Sequence, residues 1–206
     1  LQDAIINIQD YVKKVKMYDE KFFDKIKNYD KYFLAVGRLT KQKNYPYLIS
    51  EFNNYLKIDK EVILLIIGEG EEEHRLKKLI RQNNISKNVF ILNNIRNVYP
   101  FMKKARALIL SSLWEEVGFV IVEAALSNLF IISSDCPNGP KEFLENGDAG
   151  YLFRSNKKND LAETIKNFVK KKKSLKKLKL KAKRNSSNYT LFRHHLSLNK
   201  ILSNEN

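Results

Sequence analysis

Cysteine, tryptophan, proline and glycine are all scarce in this 206-residue chain. Cys136 is its single cysteine, which excludes an intramolecular disulfide and any cysteine-based zinc spacing and fits a reducing compartment. Nothing approaches the roughly 20 apolar residues that a membrane-spanning helix needs. The longest apolar run, Val62 to Ile67, has the length of a strand. No secretory signal opens the chain, and it starts on Leu1 rather than Met, as a segment of something longer would. A cytoplasmic setting is expected.

Acidic residues are also in deficit. Lys and Arg number 38 against 23 Asp and Glu, a formal net charge of +15. Such a balance points to an anionic partner: nucleic acid, membrane lipid or a phosphorylated substrate. Abundant Lys and Asn are equally what an AT-rich genome would encode. No basic and aromatic residues interleave on a strand face, so no nucleic acid is expected. The charge peaks in Lys170 to Arg184, "KKKKSLKKLKLKAKR". That stretch reads either as a solvated helix packed by Leu175 and Leu178 or as a peripheral contact with an anionic membrane. Each base near such a surface is worth about 1 kcal/mol.

What is present is an alternation of two patterns. Apolar runs of strand length occur at "YFLAVG" (Tyr32 to Gly37), Val62 to Ile67, "VFIL" (Val89 to Leu92), "ALILSS", "LFIISS" and "GYLF". Between them lie stretches with helical spacing: Tyr45 to Leu56, Glu71 to Gln82, Val98 to Ala105, Gly118 to Ser127, a turn at Lys141 to Glu145, and Leu161 to about Lys172. Strands apolar at consecutive positions are buried on both faces. Six of them alternating with helices predict an α/β fold, a doubly wound parallel sheet of about six strands. Residues 1–30 read as one or two connector helices and 31–185 as the sheet domain. Over 186–206, Leu191, Leu196, Leu198 and Ile201 predict a final helix that packs back onto something, either this domain or an N-terminal one not contained in these residues.

In open α/β sheets ligands bind outside the carboxyl ends of the strands, so residues directly after strands are the candidates. "VGRLTKQKN" ends a strand at Gly37 and follows it with Arg38 and Lys43, a forked and a compact cation suited to phosphate. "SLWEEVGFVIVEA" follows the fourth strand. Gly118 allows close backbone approach, the next helix turns its free N–H groups to the cleft, and Glu115 and Glu123 stand eight positions apart. Carboxylates accept hydrogen bonds from sugar hydroxyls and repel phosphate, so these acids suit the two ends of a ligand whose centre is a diphosphate. Each Glu could equally be an ordinary loop or helix-surface acid.

These residues carry a resemblance. From about Tyr32 to Phe168 the chain resembles the donor-binding half of the group 1 glycosyltransferases, retaining enzymes of GT-B architecture. "GRLTKQKN" resembles the family's Gly-Arg with a Lys five residues on; "SLWEEVGFVIVEA" resembles its Glu-x7-Glu motif; "SDCPNGPKEFLENGDAGYLF" resembles its loop before a Gly-x-Leu strand. The resemblance implies that Arg38 and Lys43 grip the nucleotide diphosphate and stabilise it as a leaving group, and that Glu115 binds the transferred sugar and Glu123 the ribose. It places Gly37 and the backbone of Val117, Gly118 and Phe119 at the phosphates and sugar, and Asn94 and Ile95 beside the base. It implies a nucleotide-sugar donor, most closely a UDP-sugar, a glycan or lipid-linked acceptor, and an N-terminal acceptor domain not contained in these residues. No Asp-x-Asp occurs and Arg38 with Lys43 would neutralise the anion, so no metal or other cofactor is expected. Glu116, Val117 and Asn44 depart from a frequent Gly, aromatic and Gly.

Rival classes are a sugar-nucleotide epimerase fragment and a non-catalytic basic binding module. "GEGEEE" has Glu73 where a dinucleotide fingerprint needs its third Gly, and is read as a turn. His74, His194 and His195 read as surface residues, and Cys136 as structural.

Overall fold

The computed structural model describes residues 6–17, 32–116, 118–171 and 175–203. In chain order these form α1 (Ile8–Lys16), β1 (Tyr32–Val36), α2 (Tyr45–Leu56), β2 (Ile63–Ile67), α3 (Glu73–Gln82), β3 (Val89–Leu92), α4 (Tyr99–Lys104) and β4 (Ala107–Leu110). They continue with α5 (Phe119–Leu126), β5 (Phe130–Ser134), α6 (Gly139–Phe143), β6 (Tyr151–Phe153), α7 (Asp160–Lys170), α8 (Leu175–Ser186) and α9 (Leu191–Ser203). Short 3-10 turns precede α2, β6 and α9. Every expected strand forms, and the element ends shift by only a few residues. Of the connector expected over residues 1–30, only 6–17, with α1, is described; residues 1–5 and 18–31, and Val117, lie outside the described residues.

The six strands make one all-parallel sheet in the order β3-β2-β1-β4-β5-β6. This is the Rossmann-type strand order, in which the direction of winding reverses between β1 and β4. Strand residues alternate between two cores. Phe33, Ala35, Leu64, Ile66, Ala107, Ile109, Phe130 and Ile132 meet α2, α3 and α7 on one face. Tyr32, Leu34, Ile63, Leu65, Ile67, Leu108, Leu110 and Ile131 meet α4, α5 and α6 on the other. Burial on both faces is why consecutive strand positions are apolar.

Glycine scarcity is met by asparagine. Eight asparagines among the described residues, Asn44 and Asn94 included, take positive φ, a region that Asn tolerates better than other side chains. The left-handed Asn44 (φ 52°) stands where the family resemblance expects Gly. Glu51 of α2, fully buried, accepts the Asn159 and Ala162 N–H groups at 2.9 and 3.3 Å, so one helix caps the first turn of another.

In the basic segment, Leu175 and Leu178 pack against the first core and Ala182 against the second. The described part of the segment is thus a helix held by a few small and apolar residues. The last helix forms over the expected span. Its Leu191, Leu196, Leu198 and Ile201 stay exposed, and no residue of α9 is buried. The spacing dictates a helix; nothing among the described residues covers its apolar side. No helix of the described residues is long and apolar enough to cross a membrane.

Candidate functional site

The switch between β1 and β4 decides which loops meet. The β1 loop carries Gly37, Arg38 and the turn Lys41–Lys43; the β4 loop carries Ser111 to Glu116. Backbone and side-chain bonds lock them together. Leu113 N–H donates to Gln42 O at 2.8 Å, Gln42 Nε2 donates to Trp114 O at 2.9 Å, and Ser111 Oγ donates to Lys43 O at 2.7 Å. Gln42, Ser111 and Ser112 were invisible as site residues in the sequence, because their work is to bind one loop to the other.

At the seam, Lys43 Nζ donates to the carboxylate of Glu115. Ser112 Oγ donates to the same carboxylate oxygen at 2.6 Å. Lys43 and Glu115 side chains are only 13% and 7% exposed. Beneath them the Tyr45 hydroxyl donates to Gly37 O at 3.2 Å. Burial first, and the Glu115 charge second, push the Tyr45 phenol far above its ordinary range, so it stays a neutral donor.

The glycines here serve space. A β-carbon on Gly37 would lie 3.1 Å from Lys43 Cε. One on Gly68, after β2, would lie 1.9 Å from Gly37 O, and one on Gly70 2.5 Å from Leu39 O. "GEGEEE" is therefore a turn pressed against the β1 loop, with Leu39 N–H donating to Glu69 O at 2.7 Å. Glu69 also accepts the Asn94 N–H at 2.7 Å, tying the β3 loop to the same edge. Asn94 is exposed and Ile95 half-buried against the second core.

Arg38 is exposed and makes no ion pair among the described residues. Gly118 is the N-cap of α5 at φ +69° with no side-chain cap, and Phe119 at the first turn is 53% exposed. Ile121 N–H turns back to Gly118 O at 2.8 Å, which leaves the Phe119 and Val120 amides without an acceptor among the described residues. Glu123, on the same helix, is half-buried and accepts the Tyr99 hydroxyl at 3.3 Å. Burial pushes its carboxyl above the usual value, partly offset by the Tyr99 bond and the Lys14 charge. Tyr99 in turn meets Tyr11 of α1 edge to face at 5.0 Å. Cys136 is buried, and burial pushes its thiol up.

Residues 17–185 match the family model for glycosyl transferases, group 1. An uncharacterised glycosyltransferase of Methanocaldococcus jannaschii is 38% identical over 112 residues, 54% of this chain and 28% of that protein. The N-acetylgalactosamine-N,N'-diacetylbacillosaminyl-diphospho-undecaprenol 4-alpha-N-acetylgalactosaminyltransferase of Campylobacter jejuni is 29% identical, covering 75% of this chain and 41% of its own. Among solved structures, an S. aureus TarM mutant in complex with fondaparinux, alpha-GlcNAc-glycerol and UDP superposes with a TM-score of 0.70 at 25% identity, over 74% of this chain and 31% of that one. The chain spans less than half the length of these relatives.

Proposed function

This chain belongs to the group 1 glycosyltransferases, and we propose that its residues form the half of a GT-B enzyme that binds a nucleotide diphosphate sugar, a UDP-sugar in first place. One observation carries the reading: the cation of "GRLTKQKN" and the first acid of "EEVGFVIVE" touch at the strand-order switch. A diphosphate entering there would meet the Arg38 fork, the Lys43 ammonium and the free amides of α5. These are prearranged positive groups where charge builds as the sugar–phosphate bond breaks, and removing one such donor typically costs about 3 kcal/mol.

With its cation drawn to phosphate, Glu115 is released to accept hydroxyls of the transferred sugar. Glu123, about four residues farther along α5 and so roughly 6 Å down its axis, accepts ribose hydroxyls, with Tyr99 holding its other face. Gly118 and Phe119 present backbone to the phosphates and sugar, Gly37 leaves room for Lys43, and Asn94 with Ile95 lies beside the base. Transfer proceeds with retention to a glycan or lipid-linked acceptor held by a further domain. The UDP-bound relative of known structure supports the choice of base. The reading is tested by calorimetric titration of the chain with UDP and with uridine. Saturable UDP binding, tighter than that of uridine, is expected; no affinity at millimolar UDP overturns it.

A further inference from the structure

At the opposite edge of the sheet, below the amino ends of β4 and β5, a cavity of about 320 Å³ opens between α7 and α8. Its volume lies within the range of roughly 300–1,000 Å³ typical of small-molecule sites. Three cations line it, Arg106, Lys176 and Lys179, and among the described residues no acid does. Its remaining wall is chiefly apolar: Phe130 and Phe168 from the core, Leu175 and Leu180 from α8.

The cations are placed with care. Arg106 stands directly before β4 with its guanidinium over the Phe33 ring at 5.5 Å, which fixes the fork. Lys179 is half-buried, and desolvation pushes its ammonium below the ordinary range. Among the described residues neither Lys176 nor Lys179 has an ion pair, whereas Lys181 on the same helix pairs with Glu145 and Asp148. A half-buried ammonium without a counter-charge lowers stability, and an anion would repair that.

We propose that this cavity is a binding site for a single anionic phospholipid drawn from a membrane surface. Arg106, Lys176 and Lys179 clasp the phosphate, and Leu175, Leu180 and the cavity-facing edges of the two buried phenylalanines receive the first acyl methylenes. The Leu180 side chain, 55% exposed, stands at the mouth. The lipid therefore binds far from the nucleotide cleft, and donor binding does not depend on it.

The test separates a site from a merely basic helix. The probes are a soluble short-chain anionic phospholipid below its micelle concentration, vesicles of anionic or of neutral phospholipid, and inorganic phosphate. The chain should bind the short-chain lipid and the anionic vesicles, but not neutral vesicles, and phosphate far more weakly than the lipid. Replacing Lys176→Gln with Lys179→Gln should weaken the short-chain lipid by about tenfold or more, the scale of lost charge-assisted hydrogen bonds. Replacing Lys177→Gln with Lys183→Gln removes the same charge from the same helix outside the cavity, and should change it little. Leu180→Glu, at an exposed position that does not threaten folding, should abolish it while UDP affinity stays. Equal losses in the two lysine pairs, phosphate binding as tightly as lipid, or no short-chain lipid binding would each overturn the proposal.

Discussion

Lys43 and Glu115 lie 72 positions apart and share a hydrogen bond in a nearly closed seam between the loops after β1 and β4. Neither charge has much water to fall back on. Removing one partner of a buried pair leaves the other uncompensated, at a cost of roughly 3–5 kcal/mol. Lys43→Met should therefore lower unfolding stability by about that much, measured by urea titration. Lys43→Met with Glu115→Gln should recover at least half of the loss, since a neutral amide still accepts from Ser112. UDP-sugar binding should be weak in both. A double variant no more stable than the single one would show that the pair is not what holds the seam.

Arg38 plays a different part. It is exposed and unpaired among the described residues, so Arg38→Ala should leave stability within about 0.5 kcal/mol, as surface changes usually do. Binding of UDP should fall by about tenfold or more, the scale of charge-assisted hydrogen bonds, while uridine binding barely changes. Calorimetry with both ligands checks it. Equal losses for the two would remove Arg38 from the phosphate.

Glu123 sets a pH dependence. Burial raises its carboxyl above the ordinary 4.5 despite the Tyr99 bond and Lys14. The folded chain then holds this proton more tightly than the unfolded chain. The linked stability is fully present below the unfolded value and is lost as pH rises through the folded one. At neutral pH the carboxylate is thus a cost to folding, and Glu123→Gln should raise Tm there, with the gain shrinking at pH 4. The same variant should weaken UDP, because an amide is the poorer acceptor for ribose hydroxyls. Tyr99→Phe removes a bond that favours the charged form, so the pH at which UDP affinity falls away should move upward. An unmoved profile in Tyr99→Phe would separate the tyrosine from nucleotide binding.

The alternation of strands and helices was legible because burial on both faces leaves unbroken apolar runs such as "ILLII", and packing on one face leaves the spacing of Leu48, Ile49 and Phe52. The loops that carry chemistry were legible because they follow strands. Strand order was not: no local pattern says that β1 lies beside β4, and only that neighbourhood brings Lys43 to Glu115. Tyr99 was missed for the same reason, as its hydroxyl meets Glu123 from a separate helix. Gln42 and Ser112 act on backbone or on another side chain, which leaves no spacing to recognise. α9 shows the reverse limit, since Leu191 to Ile201 fix a helix and say nothing about what covers it.

Two glycines of the candidate cleft answer to different constraints, and substitution should tell them apart. Gly118 has room for a β-carbon, its nearest neighbour being 3.5 Å away at Ile121, but its φ is +69°. Gly118→Ala should cost about 1–2 kcal/mol, the strain of the left-handed region, and Gly118→Asn less. Gly68 shows no such backbone requirement, yet a β-carbon there would lie 1.9 Å from the carbonyl oxygen of Gly37. Backbone cannot swing aside as a side chain would, so the β1 and β2 loops must separate, breaking the register that carries Gly37 N–H to Ile67 O at 3.0 Å. Gly68→Ala should cost about 3 kcal/mol, the upper end of overpacking, and should weaken UDP more than uridine because the displaced loop carries Arg38 and Lys43. Urea titrations of the two alanine variants beside UDP and uridine calorimetry decide it. Equal stability losses, or a Gly68→Ala chain that binds UDP normally, would show that the β2 turn does not hold the phosphate loop in place.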